Sequence, residues 1–216
     1  MFVTFFRGAI FGFSLSILFI GPALFALIQT SIKKGFRSAA AMALGISLSD
    51  AVLVLLAYLG ADQLLSNPKV KIYEGVGGSI ILFAYGVYEL FQKHEDERDA
   101  KKGEAIVANA SNNLPWMLAK GFLLNVLNPF VLFMWIAWMS FVHSHYTTRE
   151  EIFSFFAGTL GMILVLDILK SLAANRLKKI LTHKLMVFIH YIMALALIIC
   201  GIVLLYDVLT GKSVNA

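Results

Sequence analysis

The sequence predicts an all-α, polytopic membrane protein with six transmembrane helices in two inverted three-helix repeats, of which the first and fourth helices are broken. Three observations lead to this fold class. The 216 residues are 59% apolar and only 14% charged, with a mean hydropathy of +0.81, as is typical of chains that cross a bilayer several times. Six apolar stretches are each close to the ~20 residues that a hydrocarbon core of ~30 Å requires. Helix-breaking pairs, Gly21-Pro22 and Asn128-Pro129, interrupt the first and the fourth of these stretches.

The predicted spans are separated by short connections, except in the centre of the chain. They cover approximately residues 5–30, 38–61, 72–92, 118–141, 152–175 and 185–209. Residues 93–113 are polar and carry mixed charges, which is typical of a solvated linker. We therefore expect a first three-helix repeat in residues 1–92, a cytoplasmic linker in 93–113 and a second repeat in 114–216.

The distribution of basic residues predicts the orientation of the chain in the membrane. Thirteen Lys and Arg residues lie in or next to the connections after the first, third and fifth spans, whereas five lie on the opposite side. Cytoplasmic connections of membrane proteins carry the excess of Lys and Arg. Both termini are therefore expected on the periplasmic or extracellular side.

The two proline pairs predict helices that stop and restart inside the membrane. A proline within a helix removes one backbone donor and clashes with the carbonyl group one turn earlier. A helix that restarts presents free N–H groups and the positive end of its dipole, which together attract anions. Gly21 and Asn128 are suitable N-caps before Pro22 and Pro129. The restarts could hold a carboxylate near the midplane, and a simple packing kink is the alternative.

Similar residues recur in the two halves of the chain. Pro22 and Pro129 are 107 residues apart, and Asp50 and Asp167 are 117 residues apart. Three further pairs in the third and sixth spans are 118 residues apart, namely Tyr73 with Tyr191, Tyr88 with Tyr206, and Glu89 with Asp207. Because each half has three spans, the second half enters the membrane from the opposite side. Breaks at corresponding positions of an inverted repeat indicate a central binding site of a transporter, although tyrosines are also common at membrane interfaces.

Two acidic residues stand at membrane depth in this prediction. Asp50 is central in the second span, and Asp167 lies about one turn past the centre of the fifth. A carboxylate at that depth costs roughly 2.5–3.5 kcal/mol on insertion scales, so it is expected to face the protein interior and to serve a function. Lys170 follows Asp167 by three residues, so the two could form an ion pair, or Lys170 could extend to the cytoplasmic interface. We assign Asp50, Asp167 and Lys170 to ion or proton coupling.

Polar side chains continue along the same helix faces. Ser14 and Gly21 share a stripe of the first span, and Ser47 lies one turn before Asp50. Asn125, Asn128, Leu132 and Trp135 share a stripe of the fourth span. The predicted substrate-binding residues are Ser14, Gly21, Pro22, Ser47, Asn125, Asn128 and Pro129. Hydrogen bonding between helices is the alternative role for Ser and Asn in membranes.

Other kinds of chemistry leave no signature in the sequence. It contains no phosphate-binding glycine loop, no nucleophile elbow and no Cys/His metal cluster, so neither an enzyme nor a cofactor is expected. The single cysteine, Cys200, excludes an internal disulfide. The basic residues stand between apolar runs without an aromatic-interleaved face, so nucleic acid is not an expected partner.

Four motifs occur in the order and spacing of a known family. They are Gly21-Pro22, Lys34-Gly35-Phe36-Arg37, Leu44-Gly45 followed by Asp50, and Lys120-Gly121-Phe122-Leu123-Leu124-Asn125-Val126-Leu127-Asn128-Pro129. Together they resemble the LysE/RhtB family of bacterial amino-acid exporters and cover most of the chain. Residues that are less usual in that family stand at Ile20, Ser38 and Phe130. The resemblance implies an inner-membrane efflux carrier for amino acids or similar small metabolites, driven by a cation gradient.

The leading hypothesis is a secondary exporter that binds a zwitterionic amino acid at the midplane. The amides after the two breaks would hold the carboxylate, and Asp50, with Asp167, would hold the ammonium group or a coupling proton. Rocking of one repeat against the other would give alternating access. The expected partners are the small-molecule substrate, coupling H⁺ or Na⁺, the lipid bilayer and, as an open arrangement, a second copy of the chain in a homodimer.

Two alternatives remain open at this point. The first is a divalent-cation exporter, in which the oxygen ligands that hard cations prefer come from Asp50, Asp167, Asn125 and Asn128. The second is a membrane scaffold or lipid-handling protein that transports nothing. A scaffold would tolerate neutral replacement of the two aspartates, whereas a carrier would lose flux.

Overall fold

All regular structure in the described part of the chain is helical. The computed structural model describes residues 1–18, 22–66, 68–91, 113–146, 148–177 and 183–210. The helices are α1 (Phe2–Leu18), α2 (Pro22–Lys34), α3 (Phe36–Ser66), α4 (Pro68–Phe91), α5 (Leu114–Val126), α6 (Pro129–His145), α7 (Arg149–Leu172), α8 (Ala174–Leu177) and α9 (His183–Leu209). No strand occurs in these ranges. The predicted all-α class is confirmed, and the predicted linker lies outside the described residues except for Asn113.

Fewer membrane-length helices are described than the sequence predicts. Within the described ranges, Phe36–Gly60 of α3 and all of α7 are long and apolar enough to cross a bilayer, and the bent pair of α5 and α6 would make a third span. Shorter apolar helical segments lie in α1, α4 and α9, at Phe2–Ile17, Val76–Tyr88 and Tyr191–Tyr206. The arrangement of six spans therefore stays a prediction.

One face of α1 carries large apolar side chains with no protein cover. Phe6, Ile10, Phe13 and Ile17 are all exposed, and their spacing of three and four residues places them on a single stripe. A continuous exposed apolar stripe is typical of a surface that contacts lipid. The exposed pattern therefore agrees with a membrane protein.

The helices group into two units by their contacts. The first unit contains Met1–Ala57 and Asp96–Thr182, and the second contains Tyr58–Glu95 and His183–Ala216. The first therefore holds α1, α2, most of α3 and α5 to α8, whereas the second holds the end of α3 with α4 and α9. The predicted division of the sequence into residues 1–92, 93–113 and 114–216 describes repeats rather than contacts, and stays a prediction.

In the first unit, α1 and α7 pack through glycines with their backbones in contact. A Cβ atom on Gly8 would lie 2.0 Å from the carbonyl oxygen of Phe155, and one on Gly158 would lie 2.1 Å from that of Phe5. The Thr159 hydroxyl also donates to the Gly8 carbonyl oxygen at 3.0 Å. Only glycine fits at such an approach, and small residues serve this purpose between membrane helices.

The pair formed by α3 and α5 repeats this geometry. A Cβ atom on Gly45 would lie 2.0 Å from the Leu118 carbonyl oxygen, and one on Gly121 would lie 2.2 Å from that of Met42. Gly45 packs against α5 in the way that Gly158 packs against α1, and these two glycines are 113 positions apart. Gly121 packs against α3 in the way that Gly8 packs against α7, and they are also 113 positions apart. The two helix pairs are therefore packed in equivalent ways, each with one helix from either half of the chain.

In the second unit, α4 and α9 pack symmetrically against each other. A Cβ atom on Gly86 would lie 2.9 Å from the Ala194 carbonyl oxygen, and one on Gly201 would lie 3.0 Å from that of Ser79. The two glycines are 115 positions apart, as are Ser79 and Ala194. The later residue of α4, Gly86, contacts the earlier residue of α9, Ala194, and the earlier residue Ser79 contacts the later residue Gly201. The helices therefore run antiparallel.

The spacing of 113 residues between equivalent glycines differs from the spacing of 117 residues between Asp50 and Asp167. At 113 residues, Asp50 corresponds to Ile163 rather than to Asp167, which is four positions further along α7. Four residues are about one helical turn, so a shift of four residues leaves a side chain on the same helix face but moves it along the helix axis. The two aspartates are therefore not equivalent positions in the packing of these helices.

The short helix α2 is fixed by apolar packing and by one glycine. Leu27 of α2 is buried in a cluster with Met42 and Met117 from α3 and α5. The Ser31 hydroxyl donates to the Ser171 carbonyl oxygen at 2.6 Å. Gly35, with φ of 83°, separates α2 from α3 in the left-handed conformation that commonly ends helices. This packing holds α2 beside the helices that carry the candidate site.

Candidate functional site

The predicted break at Asn128-Pro129 is confirmed as a sharp bend. α5 ends at Val126, α6 begins at Pro129, and the two helices are bent by 68°. Asn128 is the N-cap of α6, and its side-chain oxygen accepts a hydrogen bond from the Phe130 N–H at 3.0 Å. Proline at the first helical position has no N–H to satisfy, which suits the restart.

The first turn of α6 leaves no vacant amide for an anion in this conformation. The Phe130 N–H is bonded to the Asn128 side chain. The N–H groups of Val131 and Leu132 donate to the Asn128 carbonyl oxygen at 3.1 and 3.3 Å. A carboxylate could therefore reach the Phe130 N–H only by displacing the Asn128 side chain.

The predicted break before Pro22 falls on residues that are not described. The last described residue of α1 is Leu18, and α2 is described from Pro22. Gly21, one of the predicted substrate-binding residues, lies outside the described residues. The predicted anion site at this break therefore stays a prediction.

Asp50 is the acceptor of a buried hydrogen-bond network. Its Oδ1 atom accepts from Asn125 Nδ2 at 2.7 Å and from Trp135 Nε1 at 2.9 Å. The solvent-exposed fraction is 5% for Asp50, 4% for Asn125 and zero for Trp135. The network joins α3, α5 and α6 at a point close to the bend. Within the described ranges no donor contacts Asp50 Oδ2, so this oxygen can take a proton or an ammonium group.

Additional contacts hold the two donors in place. The Asn125 amide also lies 3.3 Å from Ser49 Oγ and 3.4 Å from the Ile46 carbonyl oxygen. The Trp135 ring packs edge-on against Phe156, with 6.1 Å between ring centroids. Since both donors are fixed from several sides, the Asp50 carboxyl group has a defined orientation.

Lys170 forms an ion pair with Asp167. Lys170 Nζ lies 3.1 Å from Asp167 Oδ1. The ammonium group also donates to the carbonyl and hydroxyl oxygens of Ser16 in α1, at 2.8 and 2.7 Å. The Ser171 hydroxyl donates to the Asp167 carbonyl oxygen at 2.8 Å. This second polar cluster joins the end of α1 to α7.

Two predicted site residues take no part in either cluster. Ser14 is exposed, and its hydroxyl donates to the Ile10 carbonyl oxygen of its own helix at 3.1 Å. Ser47 is half-buried on α3, and the Asp50 side chain bonds to Asn125 and Trp135 rather than to Ser47. The helix geometry explains both cases, because Ser16 and Ser49 lie two positions further along, on nearly the opposite face.

Three contributing residues were absent from the predicted site. Ser49 and Ser16 carried no separate signal, since a serine in an apolar helix is common. Trp135 had a signal, because it stands on the predicted stripe of the fourth span with Asn125 and Asn128. A buried indole N–H usually needs an acceptor, and Asp50 was the central acceptor available.

The described residues form no cluster suited to a divalent cation. No group of three or more His, Cys, Asp or Glu residues that could hold a metal occurs in the described part of the chain. Asp50 faces two N–H donors and Asp167 faces an ammonium group. The Asn128 oxygen is used by the cap of α6. One oxygen atom each of Asp50, Asp167 and Asn128 is therefore used by another contact, and Asn125 contributes its N–H group to the Asp50 network.

Apolar helices of membrane length, a sharply bent helix pair and two buried aspartates are typical of a membrane protein of the transporter class. Comparison with known proteins agrees with this class. The family model described as LysE type translocator matches residues 14–208, and the chain therefore belongs to that family of exporters. A Bacillus subtilis (strain 168) protein named "Putative amino acid efflux protein YcgF" is 24% identical over 185 residues, which cover 84% of this chain and 86% of that protein. No solved structure matches the chain.

Proposed function

We propose that the protein is a secondary exporter that moves amino acids or related small metabolites out of the cell across the plasma (inner) membrane, coupled to H⁺ or Na⁺. Membership of the translocator family supports export, and the name of the Bacillus relative supports an amino-acid substrate. The observation that carries the proposal is the buried Asp50 network beside the bend between α5 and α6.

Asp50 is the proposed partner of the substrate ammonium group or of the coupling proton. A carboxylate inside the membrane costs roughly 2.5–3.5 kcal/mol on insertion scales and is a functional residue by default. Asn125 and Trp135 stabilise one oxygen of the carboxylate. The other oxygen is the proposed contact for a cationic group, since a charged hydrogen bond is about twice as strong as a neutral one.

The N-terminus of α6 is the proposed partner of the substrate carboxylate. A helix N-terminus favours an anion through its N–H groups and its dipole. In this conformation Asn128 occupies that position with its own side-chain oxygen. A substrate carboxylate would take over the Phe130 N–H when Asn128 turns away, so Asn128 acts as a replaceable cap. The equivalent role of Gly21 and Pro22 at the first break is part of the same proposal.

Six spans in two inverted repeats are the proposed architecture. The equivalent glycine contacts of the α1–α7 and α3–α5 pairs support a repeat, and so does the symmetric α4–α9 pair. The excess of thirteen basic residues over five supports a cytoplasmic linker and external termini. A site at the interface of two such repeats can open to one side of the membrane at a time. A homodimer stays a prediction.

Transport by purified protein in liposomes tests the proposal. Proteoliposomes are loaded with a panel of amino acids or divalent cations, and efflux is followed with and without a pH or Na⁺ gradient. We expect an imposed gradient to drive efflux of at least one amino acid. Asp50→Asn should lower that efflux at least about 30-fold, because loss of one member of a buried charged pair costs about 2–5 kcal/mol.

A matched variant controls for the loss of a negative charge. Glu150→Gln changes an exposed residue in the first turn of α7 and should leave efflux within about twofold of the wild type, as surface substitutions usually do. Efflux of divalent cations alone would favour the metal exporter. Equal efflux by folded Asp50→Asn and wild-type protein would refute the assignment of Asp50.

A further inference from the structure

A line of aromatic rings runs from the Asp50 network to the connection between α6 and α7. The Trp135 ring, whose N–H bonds to Asp50, packs against Phe156 of α7 with 6.1 Å between ring centroids. Phe156 contacts Phe155 at 5.7 Å, and Phe155 contacts Tyr146, the residue that follows α6, also at 5.7 Å. Trp135, Phe155 and Phe156 are buried. These four rings, which we call the aromatic seal, therefore fill the space between α6 and α7 from Asp50 to the end of α6.

α6 meets α7 through side chains rather than through its backbone. It contains no glycine, and the backbones of α6 and α7 do not pack closely along their lengths. By contrast, α7 is joined to α1 by main-chain contact at Gly8 and Gly158. Packed rings can separate without breaking a main-chain contact. α6 is therefore easier to move away from α7 than α1 is.

The bend before α6 provides an axis for such a movement. α5 and α6 are bent by 68°, and Leu127 and Asn128 lie between them. The Asn128 N–H donates back to the Asn125 carbonyl oxygen, whereas the Asn128 carbonyl oxygen accepts from Val131 and Leu132. The hydrogen bonds of the two helices thus meet at Asn128. Hinges are commonly a few residues at the ends of structural elements, so α6 can turn about this residue as a unit.

A directional contact ties α6 to α3 beside the aromatic seal. Trp135 Nε1 donates to Asp50 Oδ1 at 2.9 Å. The hydroxyl groups of Ser140 and Ser144 instead donate to carbonyl oxygens of α6 itself, so they hold no other helix. A hydrogen bond to a charged group is about twice as strong as one between neutral groups. The charge on Asp50 therefore determines how strongly Trp135 holds α6 against α3.

We propose that α6 is the gate on the side of the α6–α7 connection, which is expected to be external, and that the Trp135–Asp50 hydrogen bond keeps this gate closed. A proton or the substrate ammonium group on Asp50 Oδ2 would draw charge away from Oδ1 and weaken the bond. α6 would then turn about Asn128 and open the aromatic seal. Trp135 is thus a positioning residue that couples the occupation of Asp50 to access from one side. The inference rests on the proposed function for its meaning in transport.

The reaction of a buried cysteine with a charged thiol reagent measures opening of the gate. Val142 of α6 is fully buried and lies about two turns past Trp135. Val142→Cys is made in a Cys200→Ser chain, because the native cysteine is exposed. Asp50→Asn keeps the shape of the side chain but replaces a charged acceptor with a neutral one. We expect this change to raise the rate at which a charged methanethiosulfonate modifies the purified protein by about fivefold to tenfold.

Three further variants separate gate opening from general loosening. Ser144→Cys is exposed on α6 and should react at the same rate with either residue at position 50. Ser38→Cys is buried on α3 away from the seal and should stay slow in both backgrounds. Trp135→Phe removes the same hydrogen bond while keeping the charge of Asp50, so it should also accelerate the modification of Val142→Cys. This variant decides the question if Asp50→Asn does not fold.

Several outcomes would overturn the proposal. One is an unchanged rate at Val142→Cys in folded Asp50→Asn or Trp135→Phe protein, and another is an equal acceleration at Ser38→Cys. Loss of folding in both Asp50→Asn and Trp135→Phe would also overturn it, because a gate contact has to break in every transport cycle. Met139→Cys, at a position that is 1% exposed, repeats the measurement if Val142→Cys does not fold. The assay requires no transport, so its result is independent of whether the protein exports an amino acid.

Discussion

Replacement of Trp135 by phenylalanine tests whether the donors around Asp50 matter for transport. Trp135→Phe keeps an aromatic ring against Phe156 but removes the N–H that lies 2.9 Å from Asp50 Oδ1. A hydrogen bond to a charged group contributes about 1.5–3 kcal/mol. Asn125 still donates to the same oxygen at 2.7 Å, so we expect the lower end of this range. That corresponds to about a tenfold loss of kcat/KM for export.

Efflux of the transported amino acid from proteoliposomes measures this loss, and thermal melting in detergent measures stability. Trp138→Phe is the matched control, since Trp138 lies on the same helix and packs against Phe11 with 4.5 Å between ring centroids. We expect the control to retain efflux within about twofold, because its indole belongs to no part of the Asp50 network. Two results would refute the reasoning: equal effects of the two substitutions on efflux, or a less stable Trp135→Phe protein with unchanged kcat/KM.

Two further predictions follow from the packing and from the cap of α6. Gly45→Ala places a Cβ atom 2.0 Å from the Leu118 carbonyl oxygen and should lower the free energy of unfolding by about 1–3 kcal/mol, as overpacking does. The control is Gly161→Ala, whose Cβ atom meets nothing within 4 Å. This variant should be neutral or gain up to about 1 kcal/mol of stability. Melting temperatures in one detergent decide this, and a Gly45→Ala protein as stable as the wild type would contradict it. Asn128→Ala should cost about 1 kcal/mol of stability through loss of the N-cap but should not raise KM for a zwitterionic amino acid, because the Phe130 N–H becomes available to the carboxylate. A rise in KM of about tenfold, measured in the efflux assay, would instead mean that the Asn128 side chain itself binds the substrate.

Local sequence signals predicted the features that depend on neighbouring residues. The proline after Asn128 predicted a helix restart, since a missing N–H and a fixed φ act within one turn. The bend and the cap at this position agree with that prediction. Likewise, the cost of a charge in lipid predicted that Asp50 faces the protein interior, where it is buried.

Features that depend on contact between distant helices were not predictable in the same way. Asp50 and Trp135 are 85 positions apart, and no sequence signal near either residue identifies the other as its partner. Ser16 rather than the predicted Ser14 contacts Lys170, and two positions on a helix turn a side chain by about 200°. The spacing of the repeat was ambiguous by one turn, because a shift of four residues preserves the polar face.

The sequence also could not show whether the N–H groups in the first turn of α6 are available to an anion. Asparagine before proline predicts an N-cap, and an N-cap necessarily uses one of the amides that an anion would need. The sequence pattern therefore indicates both a binding position and the side chain that occupies it. Only the conformation of Asn128, whose oxygen lies 3.0 Å from the Phe130 nitrogen, shows which of the two prevails here.

Backbone contact at the glycines has a consequence for the moving parts of the exporter. Helices whose main chains touch cannot slide past one another without separating, whereas helices that meet through flexible side chains can. Gly8 and Gly158 join α1 to α7, and Gly45 and Gly121 join α3 to α5, so each tight pair combines a helix from the first half with one from the second. We therefore expect these mixed pairs to travel as rigid bodies during a transport cycle. The boundary between moving parts would then run through both halves, in place of the rocking of one repeat against the other that the sequence suggests.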